Sequence, residues 1–314
     1  MKDNLGIVYL PAANGLPGAE KRHIERLRRD FPVLDWRLCP EKEEVPPLLP
    51  RARAALVWSF SSAWNDLSPH LRLLSTPAAG RELIRARPRP GLAIRFGSFH
   101  GELMAETVVG MMLAFCRGIK DCLDRGRSGW PRTEVGGAMR QLRGSHAVVL
   151  GFGNIGKWVG RLLKPFGVRV TGVNRTDLTR PDYFTADDAV VGIENLDGLL
   201  PAADHLVLVL PAGDGTTDII DARRLALLRP DAYIYNVGRG NAIDIDALAA
   251  ALRSGAVKGA GLDVFPEEPL PEESPIRSCP NALILPHVSA FAPNYLDLYL
   301  DELSPVLEGL FAGG

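Results

Sequence analysis

Short apolar runs, each followed by a polar or helical stretch, recur along almost the whole chain. Over residues 5–98 the runs Leu5–Leu10, Val33–Leu38, Ala55–Phe60, Leu71–Ser75 and Leu92–Phe96 predict strands. Glu20–Asp30 has helical spacing, with Ile24 and Leu27 facing inward. Such alternation, joined by right-handed crossovers, predicts a small parallel sheet with helices on its faces. Glu102–Arg117 predicts one long helix, with Leu103, Met104, Val108, Met111, Met112 and Phe115 spread almost all round it. A helix that is apolar on every side is expected to be buried between two bodies of protein, and this one reads as the connection into a second domain. Glu106, in that setting, needs a partner, and a structural ion pair is expected.

A second series begins at Gly144. Ala147–Leu150 reads as a buried strand, and Ile155–Leu163 follows as a helix with Ile155, Val159, Leu162 and Leu163 on one stripe. Further strands are predicted over Val168–Val173, Asp204–Leu210, Ala232–Val237, Gly259–Phe265 and Ala282–Leu285. Between them lie helices over Asp221–Leu228, stopped by Arg229-Pro230, and Asp244–Arg253, stopped by Ser254-Gly255. The pattern is that of an α/β, doubly wound parallel sheet. A last helical stretch, Asn294 to Phe311, carries Leu296, Tyr299, Leu300 and Leu307.

The turn between the first strand and helix of this series is Gly151-Phe152-Gly153-Asn154-Ile155-Gly156. A G-x-G-x-x-G triplet alone is weak evidence, but here a strand precedes it and a helix follows, which points to dinucleotide binding. Gly151 permits the tight turn, Gly153 leaves room for a pyrophosphate, and Gly156 lets the helix lie close on the sheet. The first amides of the helix, at Asn154 and Ile155, then face the phosphates.

The end of the next strand decides between cofactors. An acidic residue about 20 positions after the glycines would bind the ribose 2′-hydroxyl of NAD. Asn174-Arg175-Thr176 stands there instead, and Arg175 with Thr176 can hold a 2′-phosphate. The alternative is that Arg175 is a surface arginine and Asp177 serves NAD. Because Asp177 falls beyond the predicted strand end, NADP(H) is the expected cofactor, with NAD(H) second.

At 314 residues, 46% hydrophobic and 23% charged, the chain has room for two domains, and its formal charge of −1 gives no reason to expect nucleic acid or an anionic membrane as partner. It contains neither an apolar run of membrane length nor a secretory apolar segment after Met1-Lys2-Asp3-Asn4. Cys39, Cys116, Cys122 and Cys279 lack C-x-x-C or metal-ligand spacing, so reduced thiols in a cytoplasm are expected and no metal site.

Three polar residues lie just past predicted strand ends: Arg239, Glu268 and His287. Ligands of open α/β sheets gather there, so the three can converge on one crevice. Arg239 offers a planar fork to a carboxylate and a neighbouring carbonyl. His287 can give a proton to that carbonyl oxygen as hydride arrives, and Glu268 beside it would hold the tautomer and raise the imidazole pKa. In the first half, Ser75-Thr76-Pro77-Ala78-Ala79-Gly80 ends a strand with small residues whose amides can hold a carboxylate. By local pattern alone it reads as an ordinary turn, and the arginines at 81, 85, 87 and 89 after it as a solvated loop.

Four ordered motifs resemble the D-isomer-specific 2-hydroxyacid dehydrogenases: the glycine turn at 151–156, Asn236-Val237-Gly238-Arg239-Gly240, Leu262-Asp263-Val264-Phe265-Pro266-Glu267-Glu268-Pro269, and Pro286-His287-Val288-Ser289. The resemblance is strong from about Gly101 to Ala292 and loose before that. It implies that Arg239, Glu268 (rather than Glu267) and His287 bind substrate and carry acid–base work, and that Asp263 contacts the nicotinamide. It also implies that Ala78, Ala79 and Gly80 belong to the loop for the substrate carboxylate. Pro211, Thr216 and Val237, at neighbouring strand ends, complete the expected cofactor-binding set. The implied arrangement is two Rossmann-like or flavodoxin-like domains with the active-site cleft between them: residues 1–98 with 287–314 for substrate, and 99–286 for the dinucleotide. A homodimer, with the Glu102–Arg117 helix near its interface, is implied as well.

Asn174-Arg175-Thr176 resembles the NADP-using, glyoxylate and hydroxypyruvate reductase-like members. Ala78-Ala79-Gly80-Arg81-Glu82 departs from the commoner Gly-Val-Asp-like loop, which leaves substrate size open. The expected activity is NADPH-preferring reduction of a small 2-keto acid to the D-2-hydroxy acid. Its rivals are an NAD-linked dehydrogenase of a phosphorylated or aromatic acid, and a nucleotide-sensing corepressor-like protein.

Overall fold

A computed structural model describes residues 4–12, 15–126 and 129–311. Contacts divide the chain into two units, one running up to His100 and resuming at Ala292, the other spanning Gly101–Phe291. Backbone amides 287–289 are bonded to Asp263 within the second unit.

The first unit is built on five parallel strands, β1 (Leu5–Tyr9), β2 (Asp35–Leu38), β3 (Ala52–Val57), β4 (Leu73–Thr76) and β5 (Ala93–Phe96), in the order β2-β1-β3-β4-β5. Strand residues alternate faces, and Leu5, Ile7, Ala55, Val57 and Leu74 join one core cluster. Gly6 sits under Trp36, where an added Cβ would come within 2.4 Å of the indole ring. Helix α1 (Lys21–Asp30) buries Ile24 and Leu27 as its spacing predicts. It is tied to the C-terminal helix by Arg22 to Asp297 at 2.7 Å and Arg26 to Asp301 at 2.5 Å.

Helix α2 (His100–Cys116) leads into the second unit, whose seven parallel strands are β6 (His146–Leu150), β7 (Arg169–Asn174), β8 (Ala189–Gly192), β9 (His205–Leu208), β10 (Tyr233–Asn236), β11 (Gly259–Leu262) and β12 (Ala282–Ile284). Their order, β12-β11-β10-β9-β6-β7-β8, puts the first strand of the series in the interior. The sheet therefore reverses direction of travel between β6 and β9, the switch point where ligands of such sheets bind. Val148, Leu150, Leu206 and Leu208 face one core, whereas Ala147, Val149, Val207 and Val209 face the other, under Met104, Val108, Met111 and Met112 of α2. Glu106 is exposed, which corrects the expected buried ion pair: its side of α2 is open to water, and the carboxylate is solvated there. The other long helices are α3 (Asn154–Leu163), α4 (Ile245–Ser254) and α5 (Tyr295–Phe311), the last returning to the first unit. Among the described residues no helix is long and apolar enough to cross a membrane.

Candidate active site

At the switch point the glycine turn has the geometry its spacing predicts. Gly151 has φ +95°, and a Cβ there would meet the Val209 carbonyl oxygen at 2.5 Å, so β9 and the turn touch backbone to backbone. Gly156 is similarly closed, its would-be Cβ lying 2.4 Å from the Gly151 carbonyl oxygen. Gly153 is different. It caps α3 in an extended conformation and faces open space, with nothing within 4 Å of a Cβ position. A pyrophosphate fits that opening, next to Asn154 and Ile155 at the positive end of a ten-residue helix. On the far side of the switch point Val237 is buried, while Pro211 begins a loop in which the Thr216 hydroxyl donates to the Pro211 carbonyl at 2.9 Å.

Asn174 ends β7, and its side chain braces the next turn. Its Nδ2 donates to the Asp177 carbonyl at 3.1 Å and its Oδ1 accepts from the Arg175 amide at 2.9 Å. Arg175 and Thr176 are exposed. The Asp177 carboxylate is already engaged: Oδ2 lies 2.8 Å from Lys157 Nζ, and Oδ1 accepts from the Thr179 amide at 3.0 Å. The Lys157 contact and the Thr179 bonds hold this carboxyl well below the usual range.

Arg239, Glu268 and His287 are carried by the turns that follow β10, β11 and β12. Asn236 shapes the first turn, accepting from the Gly238 amide at 3.1 Å and donating to the Arg239 carbonyl at 3.0 Å, a side chain mimicking a backbone turn. A Cβ on Gly238 would lie 2.5 Å from Leu210 N, and one on Gly240 would lie 1.8 Å from the Phe265 carbonyl carbon. Arg239 is thus flanked by two close backbone contacts, and the second joins its turn to the one bearing Glu268. One guanidinium nitrogen donates to the Gly238 carbonyl at 2.9 Å.

Glu268 and His287 meet. The imidazole Nδ1 lies 2.7 Å from Glu268 Oε2, and Glu268 Oε1 accepts from the Phe265 amide at 2.9 Å. With Nδ1 engaged, the outward nitrogen of this half-exposed ring is Nε2. The Glu268 hydrogen bond raises the His287 pKa above its ordinary value, outweighing the opposing effects of burial and of the Arg239 charge. Burial pushes the Glu268 carboxyl up, but the bonds from His287 and the Phe265 amide, with the Arg239 charge, bring it below its ordinary value. The raised imidazole and the lowered carboxyl thus sit in the field of a cation, Arg239, that can fix an anionic substrate.

His287 has φ +55°, the left-handed region that a non-glycine residue adopts at a cost. Asp263 holds it there. This carboxylate is 0% exposed, and its two oxygens accept from the Val288 amide at 2.8 Å and the Ser289 amide at 3.0 Å, while its carbonyl accepts from the His287 amide at 2.9 Å. Neither this brace nor the Lys157–Asp177 pair was anticipated from the sequence. Asn236, two residues before a glycine, was a readable signal of the Arg239 turn.

A family model for the D-isomer specific 2-hydroxyacid dehydrogenase, NAD binding domain, matches residues 109–289. The chain belongs to this family. It is 31% identical over 284 residues to a glyoxylate reductase of Thermococcus gammatolerans, covering 85% of this chain and 83% of that one. It is also 31% identical over 296 residues to a glyoxylate/hydroxypyruvate reductase B of Pectobacterium atrosepticum, covering 90% and 87%. Among solved structures, a D-isomer specific 2-hydroxyacid dehydrogenase from Xanthobacter autotrophicus Py2, in complex with NADPH and MES, superposes with TM-score 0.77 at 27% identity, covering 98% of this chain and 95% of that one. This D-2-hydroxyacid dehydrogenase is accordingly an oxidoreductase with a Rossmann-type nucleotide unit.

In the first unit of the dehydrogenase, the loop after β4 is drawn in by Gly97, whose amide donates to the Thr76 carbonyl at 3.0 Å and the Ala78 carbonyl at 3.1 Å. The Ala78 amide is taken by the Thr76 hydroxyl at 3.3 Å, whereas Ala79 is exposed and Gly80 half-buried. The arginines that follow are anchored more firmly than a solvated loop requires. Arg89 donates to the Ser68 and Leu71 carbonyls, and the Arg81 guanidinium lies 5.1 Å from the centre of the Phe96 ring.

Proposed function

We propose that the enzyme reduces a small 2-keto acid of the glyoxylate or hydroxypyruvate type to the D-2-hydroxy acid, with NADPH as the preferred reductant. The observation that carries this reading is the 2.7 Å contact between His287 and Glu268, in the unit that also carries Arg239 and the glycine turn. Arg239 grips the substrate carboxylate and leans on the keto oxygen. His287 donates its Nε2 proton to the keto oxygen, and Glu268 keeps the ring charged and aligned until it does. When bound, the reduced nicotinamide supplies the hydride. Asp263 acts through the backbone it holds in place, which carries His287.

The NADPH preference is supported by the end of β7, where Arg175 and Thr176 are exposed and the first carboxylate after the strand, Asp177, is engaged by Lys157. Steady-state reduction of glyoxylate, hydroxypyruvate and pyruvate, followed at 340 nm with each reduced cofactor, tests both halves of the reading. The expected result is turnover of the smallest keto acids, with kcat/KM for NADPH at least about tenfold above that for NADH, one charge-assisted contact being worth roughly 1.5–3 kcal/mol. A preference for NADH, or turnover only with bulky or phosphorylated acids, would sink it.

A homodimer is part of the same reading. Its support is a set of exposed apolar side chains, Ile119, Leu123, Trp130 and Met139, of which Trp130 is 89% exposed and Leu123 74%. Sedimentation velocity is expected to give a dimer at micromolar concentration, and a Trp130→Ala, Leu123→Ala double variant is expected to shift it toward monomer. Wild-type protein that sediments as a monomer removes the dimer. A reducing cytoplasm as its setting fits the four free thiols.

A further inference from the structure

Asp177 lies three residues beyond the end of β7, the strand end at which Rossmann-type folds meet the adenosine ribose. A free carboxylate there would accept from a 2′-hydroxyl and repel a 2′-phosphate, favouring NADH. Both of its oxygens are occupied instead. Lys157 Nζ lies 2.8 Å from Oδ2, the Thr179 amide lies 3.0 Å from Oδ1, and Asn174 Nδ2 holds the Asp177 carbonyl at 3.1 Å. Lys157 stands one residue past Gly156 on α3 and 20 residues before Asp177, and the two meet only because α3 packs beside β7. Two of the three bonds are local and would form in any turn of this sequence. The lysine is the one long-range element.

We propose that Lys157 is a specificity-determining residue for the cofactor: by pairing with Asp177 it keeps the first acidic group after β7 away from the ribose, leaving the end of β7 to Arg175 and Thr176. The inference rests on reading Arg175 as the partner of a 2′-phosphate, and it places the origin of the preference in a residue that need not touch the phosphate at all.

Wild type, Lys157→Met, Asp177→Asn and the double variant, each checked for fold by circular dichroism, are titrated calorimetrically with adenosine 2′,5′-bisphosphate and with 5′-AMP. The NADPH-to-NADH ratio of kcat/KM is measured alongside. Lys157→Met is expected to lose about two- to fivefold of the preference for the bisphosphate, the size of one partly screened like-charge contact at this exposure. Asp177→Asn is expected to keep the preference, and the double variant to recover most of what Lys157→Met loses. An unchanged ratio in Lys157→Met overturns the proposal. So does a double variant as impaired as the single one, which would make Lys157 a direct phosphate ligand. Wild-type protein that binds 5′-AMP as well as the bisphosphate refutes the Arg175 reading itself, and this proposal with it.

Discussion

Replacing His287 with asparagine is expected to lower kcat for keto-acid reduction by about two to four orders of magnitude, the usual worth of a positioned general acid. Affinity for NADPH should stay within about twofold of wild type. Asparagine is the informative choice because it tolerates the left-handed backbone that His287 adopts at φ +55°, so loss of activity reports loss of the proton donor and not of the turn. Stopped-flow absorbance for the chemical step and fluorescence titration for NADPH separate the two effects. Turnover within tenfold of wild type would take the imidazole out of the mechanism.

The same argument fixes a pH dependence. His287 titrates above its ordinary value, chiefly through its bond to Glu268. Reduction needs the imidazolium, so kcat/KM should be flat at low pH and fall as pH rises through that raised value; oxidation of the hydroxy acid should do the reverse. Glu268→Gln removes the group that raises it and leaves burial and the Arg239 charge pulling down. The alkaline limb should therefore move to lower pH. A limb that stays where it is belongs to some other group.

Arg239 carries the second large effect. Arg239→Lys keeps the charge but gives up the two-pronged grip, and kcat/KM for the keto acid is expected to fall about 10- to 100-fold, equivalent to one charged hydrogen bond. Arg239→Met removes charge and fork together and should cost about a thousandfold or more. In both variants NADPH binding should persist, since the residues around the glycine turn are untouched. Wild-type kcat/KM in Arg239→Lys would mean that a point charge is sufficient, and the planar clamp would be wrong.

Much of this architecture was legible before any coordinates. Buried parallel strands read as short apolar runs, and those runs located β1 through β7 and β9 through β12 to within a few residues. The glycine turn was legible because each glycine answers a steric demand that the neighbours reveal. What escaped was short or long-range. β8, four residues of ordinary composition, forms because β7 offers it an edge. The helices Ile119–Asp124 and Arg132–Ala138 are too brief to show a period, and the second contains Gly136-Gly137. Glu106 was misjudged because α2 is apolar on average while one side of it remains open to water. Asp263 and Lys157 act on partners about 20 or more positions away, and no local pattern announces such a contact.

The bonds made by Asp263 bear on how this enzyme can be altered. Because that buried carboxylate grips backbone amides alone, the imidazole's position is inherited from the end of β11 and is indifferent to which side chains the next few positions carry. The exposed side chain at position 288 can accordingly be varied without dislodging the proton donor, whereas loss of the Asp263 carboxylate would be felt at once in the chemistry.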